Sequence, residues 1–396
     1  MPDADRVRLG RRQRAALTGP DQQQTWLTGR TIDFWRSFRE PGLRSPHTWL
    51  RRSAGSWLPG CVFRDSALSA RQVCTAFGLT TGSEASITAV ARGAAGRVWC
   101  LDLGTERFAV KELFSPPDEG SVRREAAFTA HLERAGVRLA ASVPGQADRF
   151  VVPVPGQAAD RRLRLYRWID GVLPDLADPG MAARIGDLLG RLHAHAPPAQ
   201  VPAGDPWYDT VPALESWGHL TGAARTQSAG WAGALSARIS LLADLADLVT
   251  PAPASGLITC HRDLHPDNVL AESSGALIPL DWDEAGPAIP DRELAAVLMF
   301  WHLSDQGEAD SASVRRTLAA YLAAGGPGRI RDEQTFGMYL ATRLNFLHRQ
   351  ASIALDPRTS PEHRGYAALE IADTLARLPA LPLIRHLITL AAPDTG

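Results

Sequence analysis

The 396-residue chain is nearly without lysine: of its 42 basic side chains 41 are arginine, and the exception is Lys111. A GC-rich coding bias explains the excess of Arg, Ala, Gly and Pro but not the lysine that remains. Arginine does not replace lysine where a compact point charge must enter a tight pocket, so Lys111 is a candidate site residue before any motif is read. Cysteine is scarce as well. The four, Cys61, Cys74, Cys100 and Cys260, include no C-x-x-C pair, which excludes a zinc ribbon by spacing and argues against a disulfide framework. No apolar run reaches the 18 residues of a membrane span, the longest lying around Leu294–Leu303. The first 30 residues lack the apolar segment of a secretory signal, so the chain reads as a soluble cytoplasmic protein. A formal net charge of −1 gives no support to nucleic acid or a membrane surface as partner. Neither G-x-S-x-G nor G-x-x-x-x-G-K-[ST] occurs, which removes a hydrolase elbow and a Walker phosphate loop.

What is present is a globular balance, 45% apolar and 21% charged, in a length that accommodates two lobes. Residues 1–60 carry 11 Arg against five acids, and residues 1–66 form an extension of unknown role. A mobile arm, a packed addition and a misplaced start all fit it. A short helix is expected over Ser69–Gly78, then strands at Ile87–Ala91, Val98–Leu103 and Arg107–Leu113, and a helix over Ser121–Ala135 with Ser121 as its cap. Arg162–Ile169 is strand-like. Beyond it the period is helical at Met181–His195, Val211–Leu220, Ala232–Leu248, Glu293–Leu303, Ser313–Ala323, Phe336–Ile353 and Pro361–Leu378. Strands followed by helices make an α+β chain with two lobes, a small strand-rich one at 67–166 and a larger helical one at 167–396.

The stretch CHRDLHPDNVLAESSGALIPLDWDEAG, residues 260–286, carries the chemistry. Val269–Ala271 and Ala276–Leu280 flank turn residues and read as a hairpin. With Ser274-Gly275 as the turn, Asn268 stands opposite Asp281, and a slip of one residue leaves both at the open end. There they offer two oxygen ligands to a hard cation such as Mg²⁺. Asp263 precedes Asn268 by five residues, close enough to accept a proton from a substrate hydroxyl. H-R-D-x-x-x-x-N followed by an Asp after a hairpin is the protein-kinase-like arrangement for phosphoryl transfer.

HRDLHPDNVL followed by LDWDEAGP resembles the aminoglycoside phosphotransferase family of small-molecule kinases, which shows H-G-D-L-H-P-G-N-V-L and then a strand ending I-D-W or I-D-F. MAARIGDLLGRLHAHA, residues 181–196, resembles that family's L-G-x-x-L-A-x-L-H helix. The resemblance covers roughly residues 67–380, with Arg262 and Asp267 in place of glycines and Glu293 where an Asp is usual. It implies a bilobal protein-kinase-like fold with ATP and Mg²⁺ in the cleft. Asp263 would then be the catalytic base, Asn268 and Asp281 the metal ligands, and Lys111, in a V-A-I-K-like strand, the contact to the nucleotide phosphates. Such a lysine needs a carboxylate. Glu112 points to the other face, whereas Glu125 shares a helix face with Phe128 and Leu132 and is the expected partner, with Arg123 and Arg124 as its alternative partners. Gly93 and Gly96 would cover the phosphates, and the backbone at Tyr166–Trp168 would hold adenine. His193 and His195, two apart, do not share a helix face and are poor metal partners, and His265 and Trp282 are read as packing residues.

The expected activity is ATP-dependent O-phosphorylation of a small molecule. Residues 201–330 carry 16 acids against seven arginines, which favours a cationic, amino-bearing acceptor. Aminoglycoside-like antibiotics, choline-like amino alcohols and homoserine-like metabolites all fit, and the oligomeric state is left open. A silent nucleotide-binding relative is the competing class, and the intact Lys/Asp/Asn/Asp set argues against it.

Overall fold

The computed structural model describes residues 68–392, except 93–95, 116, 156–160, 200–204, 254 and 305–306. The chain divides at Pro59 and Gly60, and all described residues belong to the second unit.

Ser69 starts the first helix, α1 (Ala70–Phe77), by a reciprocal cap. Its hydroxyl accepts the Gln72 N–H while the Gln72 side chain accepts the Ser69 N–H, and Gly78 closes the other end at φ +68°. Three antiparallel strands follow, β1 (Ser86–Arg92), β2 (Gly96–Asp102) and β3 (Arg107–Leu113). After α2 (Glu119–Arg134) come the short β4 (Ser142–Val143) and β5 (Val152–Pro153), then β6 (Arg162–Arg167). β6 pairs with β3 on one side and with β4 and β5 on the other, completing one six-stranded sheet. Alternation puts Trp99, Leu101, Phe108, Val110, Leu163 and Leu165 into the core shared with α1. Lys111, with Val98 and Arg164 paired beside it, therefore faces the opposite way.

The cap of α2 is Asp118, not the expected Ser121. The Asp118 carboxylate accepts the Ser121 N–H at 3.0 Å, and as an anion it also suits the positive end of the helix. The inward face of α2 is the expected one, with Glu125, Phe128 and Leu132 all buried.

The second part holds α3 (Met181–His195), the one-turn α4 (Pro206–Asp209), α5 (Leu214–Thr226), α6 (Ala232–Ser236), α7 (Ile239–Ala246), α8 (Pro290–Trp301), α9 (Ser311–Ala323), α10 (Gly337–Leu355), α11 (Pro361–Ala376) and α12 (Leu381–Ala391). Phe128 and Leu132 of α2 enter the core of this part, so α2 is packed into both halves of the site's surroundings. The expected helix over Ala232–Leu248 is broken at Ala237–Arg238 into α6 and α7. α12 had no counterpart in the sequence reading. Pro382 looks like a breaker there but sits in its first turn, where no N–H is required. Four short strands lie between α7 and α8: β7 (Ile258–Cys260), β8 (Val269–Ala271), β9 (Leu277–Pro279) and β10 (Gly286–Ala288). β7 pairs with β10 and β8 with β9.

Candidate active site

The β8–β9 hairpin is one residue out of the expected register. Val269 faces Pro279 and Ala271 faces Leu277, so Asn268 stands opposite Leu280, whose N–H donates to the Asn268 carbonyl at 2.8 Å. The connection has three residues, Ser273–Gly275, because Glu272 pairs with Ala276 and Gly275 turns at φ +84°. A third loop residue in the left-handed region is a standard solution that the two-residue reading overlooked. Asp281 follows directly, itself left-handed at φ +56°, so both residues remain at the open end of the hairpin.

Asp263 lies in the loop after β7. Its Oδ2 accepts the Asn268 side-chain N–H at 2.9 Å, and its backbone carbonyl accepts the other at 3.0 Å. The loop is held from beneath by His261, whose Nε2 donates to the Leu280 carbonyl at 2.8 Å while Nδ1 accepts the Asp263 N–H at 3.3 Å. Trp301 of α8 donates to the Leu264 carbonyl at 2.9 Å. Trp282 is core, packed on His261 and Phe128 with ring centroids 4.5 and 5.7 Å away. His265 rests against Phe300, 5.7 Å between centroids. Burial opposes the protonation of His265, but Asp263 outweighs it and raises the imidazole above its ordinary range.

Lys111 is not paired with Glu125, which corrects the sequence reading. Its ammonium donates to Asp281 Oδ1 at 2.5 Å and to Asp283 Oδ2 at 2.7 Å. Glu125 is taken by Arg164, which donates to both of its oxygens at 2.7 Å and to Asp283 Oδ1 at 2.5 Å. A fully buried guanidinium is stable only when carboxylates meet its donors, and here Glu125 offers both oxygens and Asp283 one. Burial opposes charge on Lys111, yet the two aspartates hold the ammonium above its usual range. Burial likewise opposes ionisation of Asp281, and Lys111 outweighs it and holds the carboxyl low. Burial raises Glu125 despite its bonds to Arg164. Glu112 faces the other side, as expected, and accepts from Trp99 Nε1 at 3.1 Å and Arg161 Nε at 2.6 Å.

The remaining candidates fall differently. Gly93 lies outside the described residues. Gly96 heads β2, where a Cβ would stand 2.4 Å from the Glu112 carbonyl oxygen, so the neighbouring strand by itself demands glycine. Tyr166 pairs with Ala109 on the Lys111 face, and its buried hydroxyl has no hydrogen-bond partner among the described residues. At the crossing between the lobes the Arg167 N–H donates to Ala141 and the Trp168 N–H to Arg107, so neither is left for a purine. The crossing is pinned by Arg107, which donates to both oxygens of Asp170 at 2.7 Å.

Arg164 and Asp283 are the members that sequence reasoning missed in these roles. Arg164 sits at a strand position where arginine is unremarkable in a chain with 41 of them, although the pairing of β6 with the Lys111 strand was the available signal. His193 shares no ligand set with His195. It meets Glu293 at 2.6 Å through Nε2 and Tyr321 at 2.8 Å through Nδ1, with Cys260 Sγ 3.8 Å from Nε2. The atoms of His193, Cys260 and Glu293 lie within 4.8 Å of one another in a buried cluster that already satisfies its own hydrogen bonds.

The profile of the Phosphotransferase enzyme family matches residues 86–332. No curated protein matches the chain significantly. Among solved structures the chain is similar to a spectinomycin phosphotransferase in complex with ADP and spectinomycin, at 14% identity and a TM-score of 0.52, over 78% of this chain and 96% of that one. It is similar to an aminoglycoside phosphotransferase from Alicyclobacillus acidocaldarius at 15% identity and a TM-score of 0.52, over 84% and 98% of the two chains. An amicoumacin kinase in complex with AMP-PNP, Ca²⁺ and Ami aligns at 17% identity and a TM-score of 0.51, over 80% of this chain and 95% of that one. These likenesses speak to the fold, which is α+β and protein-kinase-like.

Proposed function

The chain belongs to the Phosphotransferase enzyme family, and from that membership as a small-molecule kinase acting on a hydroxyl group we propose that it moves the γ-phosphoryl group of ATP to an amino-bearing acceptor of the aminoglycoside-like kind. The observation that carries the reading is the state of Asp263. Asn268 fixes its Oδ2 at 2.9 Å, and Oδ1 accepts no hydrogen bond among the described residues, which leaves one oriented oxygen for a hydroxyl proton.

Lys111, charged and held by two carboxylates, supplies the cation for the nucleotide phosphates. Tyr166, whose buried hydroxyl has no hydrogen-bond partner among the described residues, lies on the Lys111 face of the sheet and would line the adenine end. The donor set at the hairpin end fits Mg²⁺. Asn268 Oδ1 and Asp281 Oδ2 are hard oxygens that accept no hydrogen bond among the described residues, and these two side chains would hold the ion. When bound it supplies positive charge beside the nucleotide phosphates. The acidic balance of residues 201–330 and the exposed Asp267 and Glu284 favour a cationic acceptor in a cytoplasmic enzyme, the setting of a resistance kinase.

The test is ATP consumption with a panel of amino-bearing alcohols, from aminoglycosides to choline and homoserine, with product mass read for one added phosphate. We expect transfer to aminoglycoside-like members, and Asp263→Asn should lower it by about 10²–10⁴-fold while ATP still binds. A panel with no phosphorylated product, or an Asp263→Asn variant keeping more than about a tenth of the activity, overturns the reading.

A further inference from the structure

Lys111 has two carboxylate partners in unequal surroundings. Asp281 reaches it at 2.5 Å from the open hairpin end, with 40% of its side chain exposed. Asp283 reaches it at 2.7 Å with only 16% exposed, and its second oxygen is held by Arg164 at 2.5 Å. Arg164 is fully buried, and Glu125 takes two of its donors in parallel bonds of 2.7 Å. The register of β3 on β6 sets Arg164 directly beside Lys111 on one face of the sheet. Charge therefore alternates along one connected line, from Glu125 on α2 through Arg164, Asp283 and Lys111 to Asp281.

The chemistry of the groups decides what each link does. A planar guanidinium serves the two oxygens of Glu125 through Nη1 and Nη2 and still has the second N–H of Nη1 for Asp283, a span that an ammonium's compact charge could not cover. Asp283 is thus clamped from behind and has one oxygen left for Lys111. Asp281 has no such clamp, and its outer oxygen accepts no hydrogen bond among the described residues. We propose that Arg164 is the positioning residue of the phosphate lysine, acting through Asp283, so that Asp283 keeps Lys111 aimed into the nucleotide site while Asp281 is the partner free to exchange. Glu125 serves this site as the anchor of Arg164 rather than of Lys111. The inference rests on the nucleotide site assigned above and adds two residues to it.

Because the chain has one lysine, its placement is readable without turnover. The probe is an acyl phosphate of ATP, applied to the full chain without divalent metal. The Lys111 ammonium first gives a proton to water, and the free amine attacks the acyl carbon. The bond from that carbon to the phosphate oxygen breaks, and an amide forms as ATP leaves and the second proton passes to solvent. The label on the Lys111 peptide is quantified by mass, apart from any on the α-amino group. Asp283→Asn and Arg164→Lys should each reduce the label by about fivefold or more, the scale of a lost charge-assisted hydrogen bond. The double variant should be no worse than the poorer single, since both act through one line. Asp281→Asn should stay within about twofold of the parent protein. Equal losses in Asp281→Asn and Asp283→Asn, full labelling of Asp283→Asn, or singles that multiply in the double would each overturn the proposal. Asp283→Asn is isosteric and partly exposed, and it decides the question by itself if Arg164→Lys does not fold. A parent protein that takes no label, or takes it regardless of excess ATP, instead sinks the nucleotide site, so the two failures are distinguishable.

Discussion

Glu293 on α8 accepts the backbone N–H of Arg262 with one carboxylate oxygen and meets the His193 imidazole with the other at 2.6 Å. The residue before the proposed base is thereby tied to α3. Arg262 needs the restraint, because its φ of +66° is costly for a residue with a Cβ, on the order of 1 kcal/mol. Burial opposes ionisation of Glu293, and the bonds from His193 hold its carboxyl below the ordinary range.

Glu293→Gln should therefore damage turnover more than nucleotide binding. An amide presents one oxygen to two donors, His193 and Arg262, and turns its own donors toward the other. The cost of the unmet pair is about 1–3 kcal/mol. Thermal unfolding and kcat are the measurements, and a variant with both at parental values would show that Asp263 needs no support from α8.

Gly286→Ala tests the second hold on Arg262. The Arg262 guanidinium lies 3.8 Å from the Tyr208 ring centroid and donates from Nε to the Glu284 carbonyl at 2.5 Å. A Cβ at Gly286 would meet it at 2.6 Å. The guanidinium must then leave the loop that carries Asp281 and Asp283, and activity should fall. Arg262→Gly in the same chain makes room, so the double variant should be more active than Gly286→Ala alone. If the double is the worse of the two, the clash is not the cause.

How much of this was legible depends on the range over which each feature is decided. Asp263, Asn268 and Asp281 are spaced by one loop and one hairpin, so local turn chemistry nearly suffices, and only the left-handed Gly275 moved the register. Lys111 stood out by its rarity. The partner of Glu125 was not legible, because Arg164 and Glu125 meet at 2.7 Å across 39 residues. On a helix face Glu125 only announces that it needs a cation, and which cation arrives is set by how β6 pairs with β3. The role of Asp283 is hidden in the sequence for the same reason. Its clamp is assembled from β3, β6 and α2 together.

Acid should destabilise the fold through His302. Burial pushes its imidazole down from 6.5 to about 4. Its Nε2 meets the Thr317 hydroxyl at 2.7 Å, and that hydroxyl donates on to the Ala182 carbonyl at 2.8 Å, tying α8, α9 and α3. The folded state thus prefers neutral His302, so the unfolded chain binds the extra proton between pH 6.5 and about 4. Stability from this group is present above pH 6.5 and is lost as pH falls through that window, by about 3 kcal/mol in all. Urea unfolding of the parent protein and of His302→Gln at pH 7 and pH 4.5 checks it. The variant should be weaker at pH 7 and lose less on acidification, and equal losses would remove His302 as the cause.

Lys111→Arg keeps the charge and matches the 41 other basic positions of the chain, yet it should be severely damaging. The ammonium sits 2.5 Å from Asp281 and 2.7 Å from Asp283 with 10% of its side chain exposed, so the pocket is cut to a compact group. A guanidinium is larger and planar, and Arg164 already fills the neighbouring volume with no exposure at all. Two outcomes of crowding are available, loss of the Asp283 contact or displacement of Arg164 from Glu125, and both misplace the cation relative to the phosphates. Overpacking of this kind costs about 1–3 kcal/mol in stability, whereas turnover should fall by about 10²-fold or more, because the charge must meet the transferring group at a fixed point. Measuring kcat beside thermal unfolding separates the two effects. A variant that turns over normally would make Lys111 an ordinary cation and would withdraw the phosphate site from β3.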